Sequence, residues 1–385
     1  MKKIISSVSV LFVVLATMSG CQDIDLLPKE NLNDSQFWNT PSDFQKAANR
    51  LYIRMESFNT DDNESDIAFG GGANSVSSGT YVAPNAEEGP WNDRFTDLRD
   101  CNQIIEKAGS YIGDAAGIEV YVAEARFFRA YTLWRLMKRY NDVQLITKTL
   151  NVDSPELYGE RSPRATVEDY ILSELEAIWP NLPLQKDVAA ADLGRITQGA
   201  ALALKARVAL FAGTWAKYHK HRDDYVQLLK QAIVAAETVR ASGEYSIWEG
   251  KGDESYRYLF IEEGDDNSES ILASRYASEI RMHGTSHQAY WGDRSSPTKK
   301  LADMYLCKST GLPITAPGSG FEGYAKMEDE FKNRDPRMSQ TFLIPGTTFL
   351  NAQDAALVSS PLFNSRPNTK TGYKLWKFIG EVRTV

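Results

Sequence analysis

The chain has 385 residues, 42% hydrophobic and 24% charged, with a formal net charge of −8. That length suffices for two or three lobes at roughly 100–200 residues each. The acidic balance argues against a general nucleic-acid binder, which draws its affinity from basic patches.

Residues 1–20 read as a secretory signal: Lys2 and Lys3, then the apolar run Val8 to Ala16, then the small pair Ser19-Gly20. Cys21 follows directly. This order resembles the lipobox of bacterial lipoproteins, with Met18 where leucine is usual; an ordinary signal peptide before an unrelated cysteine is the alternative. A lipidated Cys21 anchors an exported body to a membrane, and multiple acylation supplies the hold that one chain does not. No later apolar run approaches the about 20 residues of a spanning helix.

Phe44, Ala47, Ala48, Leu51, Tyr52 and Met55 form the apolar face of a helix over 41–57, which Ser42 or Asp43 can cap. Residues 59–90 form a long loop. It holds the acidic run Asp61, Asp62, Glu64 and Asp66, then Gly70-Gly71-Gly72 and Ser77-Ser78-Gly79. A helix follows over 91–108. In the next, Val120, Ala123, Phe127, Ala130, Trp134 and Met137 make one seam, with Glu124, Arg135 and Lys138 off it. Asn141-Asp142 ends this helix, and 143–146 reads as extended. Another runs from Thr166 or Asp169 to Trp179, before Pro180 and Pro183. Trp134 and Trp179 take core positions. Residues 197–212, TQGAALALKARVALFA, predict a helix buried on most sides with close backbone approach. A last long helix spans 225–241. The helical part reads as degenerate helical hairpins, without a strict 34-residue repeat. Beyond Gly243 turn residues increase; 270–273 and 341–344 read as strands, and 298–305 as a short helix.

Motifs for catalysis are scarce: there is no GxSxG, HExxH or Walker loop. His283 and His287 are four apart, but Gly284 between them argues against a helical metal pair. The acidic run has Asp66 where an EF-hand needs glycine. No cofactor or metal is expected. Cys101 and Cys307 could form a disulfide or remain two buried thiols. Aromatics in loops are the better lead. Tyr81 and Trp91, with Asn92 and Arg94, border the long loop, and Tyr290 and Trp291 lie beside His287. Flat rings stack on sugar faces while polar neighbours bind hydroxyls, so these seven residues are the candidate ligand contacts.

Several segments together resemble the SusD/RagB-like surface lipoproteins of the Bacteroidota. They are Leu27-Pro28-Lys29-Glu30, Phe37-Trp38, and Asp43 to Tyr52; WNDRFTDLRDCNQIIEKA from Trp91, with Asn102; AEARFFRAYTLWRLMKRYNDVQLIT from Ala123; GRITQGAALALKARVALFAG from Gly194; Pro297 to Tyr305; and NRDPRM from Asn333. The resemblance implies a mainly α protein, with a tetratricopeptide-like scaffold over 21–245 and a loop-rich α+β lobe over 246–385. It implies a non-enzymatic receptor on the outer face of the outer membrane, held by lipidated Cys21. Such a receptor takes up glycans or peptides and passes them to a SusC-like TonB-dependent transporter. Asp23 and Asp25 resemble the family's surface-export signal. Trp91, and the pair Tyr290-Trp291, fall near family aromatics that hold ligand. Family members run longer, so the chain reads as truncated after GYKLWKFIGEVRTV and the second lobe as incomplete. Two other readings remain: a scaffold that docks the transporter without a ligand of its own, and an anchored glycoside hydrolase acting through paired carboxylates.

Overall fold

The computed structural model describes residues 37–57, 62–82, 89–265, 267–277, 279–285, 296–344 and 369–380. Cys21, the signal segment, Asp23 and Asp25 lie outside them. The described chain is mainly helical, with very little sheet.

Helix α1 is Pro41–Leu51 and continues as a 3₁₀ turn, Tyr52–Arg54. Its cap is Thr40, not Ser42 or Asp43. Pro41, whose missing N–H costs nothing in a first turn, opens the helix at the expected position, which leaves the cap to the residue before it. Asp43 still takes part: its Oδ2 accepts from the Thr40 N–H (2.9 Å) and hydroxyl (2.8 Å). Then follow α2 (Gly89–Gly109), α3 (Glu119–Tyr140), α4 (Arg164–Ile178), α5 (Gln198–His219) and α6 (Tyr225–Ala241). Each of α2 to α5 packs on the next, and α1 lies on α2 and α3.

Helix α3 is more deeply embedded than a single seam predicts. Ala125, Phe128, Leu133 and Leu136 are buried as well as the seam residues, because α1, α2 and α4 surround it. Glu124, expected off the seam, is fully buried and accepts two hydrogen bonds from Arg195 (Nε 2.9 Å, Nη2 2.7 Å). A buried carboxylate is tolerated only when its charge is paired in this way. Trp134 is buried, and Trp179 is half-buried against the same core.

Helix α5 meets its expectation. Thr197 caps it, its Oγ1 accepting from the Ala200 N–H at 3.3 Å. The alanines and Gly213 then let α6 approach so closely that a Cβ on Gly213 would lie 2.9 Å from the Leu229 side chain.

A second, smaller core holds Ala302, Met338 and Phe342, with Leu301, Tyr305, Phe331 and Tyr373 against it. It joins α8 (Lys299–Met304), α9 (Pro336–Thr341) and residues 369–380; α7 (Ser255–Tyr258) lies against α9. The NRDPRM segment accounts for much of it. Arg334 is buried and donates to the carbonyls of Glu330 (2.8 Å), Ala302 (2.6 Å) and Tyr305 (2.9 Å). Asp335 caps α9, with Pro336 in its first turn.

Residues 270–273 are not a strand. Their apolar pair, Ile271 and Leu272, packs back onto the helical core, which gives them a burial reason without a ladder. Nor do residues 341–344 form one: Phe342 makes a single bridge to Leu375. Cys101 and Cys307 are buried free thiols, and burial pushes the Cys101 pKa up. No helix among the described residues is long and apolar enough to cross a membrane.

Candidate functional site

The long loop is tied at its middle to the far half of the chain. Residues Ala68–Phe69 (β1) pair antiparallel with Ser296–Pro297 (β2), in the register Ala68↔Pro297 and Phe69↔Ser296. Pro297 has no N–H to donate, which keeps such a ladder short. Thr298 extends the seam: its N–H donates to the Ile67 carbonyl (3.0 Å) and its Oγ1 to the Asp66 carbonyl (2.7 Å). Lys300 pairs with Asp66, and this hydrogen bond holds the Asp66 carboxyl below its ordinary pKa. Thr371 donates from Oγ1 to the Pro297 carbonyl at 2.6 Å. Three segments distant in sequence therefore meet at one junction.

Beyond β1 the loop is shaped by its own turns. Gly71 takes a positive φ of 86°, and Asn74 Oδ1 accepts from the Val76 N–H at 2.8 Å. Tyr81 follows, 50% exposed. On the other side, β2 is the first described element after His287, Tyr290 and Trp291, which lie outside the described residues.

Trp91 lies in the first turn of α2, where the loop ends. It is half-buried, with Tyr140 edge-to-face at 4.9 Å and Phe95 tilted at 5.0 Å. The Arg161 guanidinium stands over its ring, 4.9 Å from the centroid. Asn92 is exposed beside it. Arg94 turns inward instead: its Nη1 lies 2.7 Å from Oδ2 of buried Asp97, which Arg54 also pairs at 3.0 Å. Burial raises the Asp97 pKa, while the Arg94 hydrogen bond and the two cations work against that rise.

Trp91 and Asn92 thus share one surface corner, Arg94 is occupied by Asp97, and Tyr81 is exposed in the loop. Arg161 is the member of this corner that the sequence did not single out. It sits in a polar connection, SPELYGERSPR, whose spacing sets no residue apart; only the fold lays it on Trp91. Asn102, by contrast, is wholly internal. Its Nδ2 donates to the carbonyls of Ile146 (3.2 Å) and Lys148 (3.0 Å), and its Oδ1 accepts from Arg129 (3.0 Å). Among the described residues, no group of three or more His, Cys, Asp or Glu side chains is placed to hold a metal ion.

The described residues form a helical scaffold with aromatics where its loops meet its helices. No family model matches the chain. Over 187 residues (44% of this chain and 37% of the relative) it is 26% identical to SusD-like protein P2 of Formosa agariphila. The match thus spans little more than a third of that relative's length. A SusD-like protein of Bacteroides fragilis superposes with a TM-score of 0.71 at 23% identity, covering 91% of this chain and 70% of that one. A second from the same organism, described as a SusD-like carbohydrate-binding protein, gives 0.70 at 21%, covering 90% and 69%. The chain is thus SusD-like in fold over the nine-tenths that superposes, and its sequence is similar to a SusD-like protein over the 187 matched residues.

Proposed function

We propose that the protein is a lipid-anchored receptor on the outer face of the outer membrane. It binds oligosaccharides and delivers them to a SusC-like TonB-dependent transporter, without chemical turnover. The observation that carries this reading is the Trp91 corner, a half-buried ring on the surface of a SusD-like scaffold with Asn92 exposed beside it. The carbohydrate-binding description of a solved relative supports glycan as the ligand. Trp91, Asn92, Tyr81, Tyr290, Trp291 and His287 are the proposed contacts, and Arg94 acts through Asp97. The lipobox-like Cys21 and the acidic Asp23 and Asp25 support the anchor and the address.

Calorimetric titration of the purified chain against a panel of oligosaccharides tests the reading. Binding is expected, and Trp91→Ala or Trp291→Ala should weaken it by about tenfold or more, as for a central aromatic contact. Failure to bind any member of the panel, with the helical circular dichroism intact, sinks it. Docking to the transporter without a ligand is the second reading. It is favoured by Val226, Ile233 and Val234, which stand exposed on α6. Co-purification with the transporter, unaffected by either tryptophan change and without glycan binding, would establish it.

A further inference from the structure

The connection between α3 and α4 carries an arginine whose backbone is held and whose charge has no ionic partner among the described residues. On one side of Arg161, Gln144 Nε2 donates to the Gly159 carbonyl at 2.7 Å. On the other, the Ser162 N–H donates to the Val143 carbonyl at 3.0 Å and the Arg164 N–H to Asp142 Oδ1 at 2.9 Å. The guanidinium itself is exposed, and among the described residues it makes no ion pair or hydrogen bond; its recorded contact is the Trp91 ring. Nearby arginines differ. Arg94 is taken by Asp97, Arg99 by the Leu150 carbonyl at 2.5 Å, and Arg164 by buried Glu168 at 2.7 Å. Tyr158, three residues before Arg161, is 85% exposed. An uncommitted cation lying on an aromatic surface is unexpected in a chain whose net charge is −8.

From this geometry we infer that the Trp91 corner is a subsite for an anionic sugar ring, a uronic acid or a sulfate ester, with Arg161 as the group that selects it. The inference rests on the glycan reading above and narrows its ligand class. A ring that packs on Trp91 under Arg161 must meet the guanidinium or move it aside. A neutral ring displaces the cation from the aromatic face and returns no charge to it. An anionic ring replaces that contact with a charge-assisted, bidentate hydrogen bond. Because the backbone at Gly159 and Ser162 is pinned, the guanidinium pivots without rebuilding the loop. Arginine suits this role better than lysine, since its planar fork both stacks on an indole and matches two oxygens of a carboxylate or sulfate.

The test is a titration of the full chain with matched oligosaccharides. Neutral gluco-, galacto- and manno-oligosaccharides are compared with their C6-carboxylated and sulfated counterparts. The acidic member of at least one pair should bind roughly tenfold tighter than the neutral one. That margin should shrink as salt is raised from about 50 to about 500 mM, disappear in Arg161→Ala, and survive in part in Arg161→Lys. Arg161 is exposed and, among the described residues, makes no hydrogen bond or ion pair, so both variants should keep the wild-type melting temperature closely. Equal binding of acidic and neutral partners, or a margin that persists in Arg161→Ala, overturns the inference and leaves the glycan reading standing. Absence of binding to every member of the panel overturns both.

Discussion

Asn102 uses both ends of its amide. It joins α2 to the segment that leaves α3 through the Ile146 and Lys148 carbonyls, and it fixes Arg129, whose Nη2 reaches Glu174 at 2.6 Å. Asn102→Ala leaves two carbonyls and a guanidinium short of a partner in a buried place. A loss of about 2–4 kcal/mol is expected, read as a lower urea midpoint with an unchanged slope. Leaving stability unchanged would mean that water replaces the amide. The same network has a pH signature. Burial opposes the Glu174 charge, but hydrogen bonds from Arg126 and Arg129 outweigh it, and the Glu174 pKa lies below its ordinary value. The stabilisation is therefore fully present above the unfolded-state pKa, about 4.3 for a glutamate. It is lost as pH falls through the lower folded value. A Glu174→Gln variant should show a flatter decline in melting temperature through the acid range than the wild type. None of this was legible from spacing. The sequence marks Asn102 as part of a resemblance, but its partners lie 27 to 46 positions away.

Helices whose pattern is local were legible, and those placed by distant partners were less so. Residues 225–241 form a helix with the bounds the sequence predicts, because the long apolar run between polar flanks leaves little choice. The α5 sequence, alanine-rich and nearly uncharged, already implied close approach on several sides. Glu124 was misjudged because its burial depends on Arg195, 71 positions later. The junction of β1 with β2 was invisible for the same reason: two residues pair with two others 227 and 229 positions on, with no alternation to signal it. Gly213 tests the close approach of α5 and α6. Alanine there gains about 1 kcal/mol of helix propensity. Its Cβ, however, would meet the Leu229 side chain at 2.9 Å and the Leu229 backbone nitrogen at 3.1 Å. Overpacking of that kind costs about 1–3 kcal/mol, so Gly213→Ala should be neutral to destabilising. Thermal unfolding decides it: a rise in melting temperature would show that the two helices can separate without loss.

At the scale of the whole molecule, the largest core and the one around Phe342 differ in origin. The larger one, from Phe44 to Ala232, is built between neighbouring helices. The smaller one is closed by the chain's last described segment. Leu375 bridges Phe342, the Ile379 carbonyl accepts from Arg257 at 2.9 Å, and Lys377 lies 3.7 Å from the centre of the Phe260 ring while donating to the Tyr256 hydroxyl at 2.8 Å. Thr371 also holds β2, which in turn holds the long loop through Thr298 and Asp66. Removing residues 369–385 should therefore act unequally. Phe342 loses Tyr373 from its surroundings, buried Arg257 loses the Ile379 carbonyl, and β2 loses a tie, while no residue of the larger core is removed. Limited proteolysis should cut the shortened chain within residues 296–344 and in the loop at 62–82, well before it cuts α2 to α6. The far-ultraviolet dichroism should stay largely helical, because α1 to α6 hold most of the helix. Simultaneous loss of both regions in one transition would show instead that the loop junction couples the two cores. In that case Thr298→Val alone, which removes the bond to the Asp66 carbonyl, should lower the single transition of the full chain.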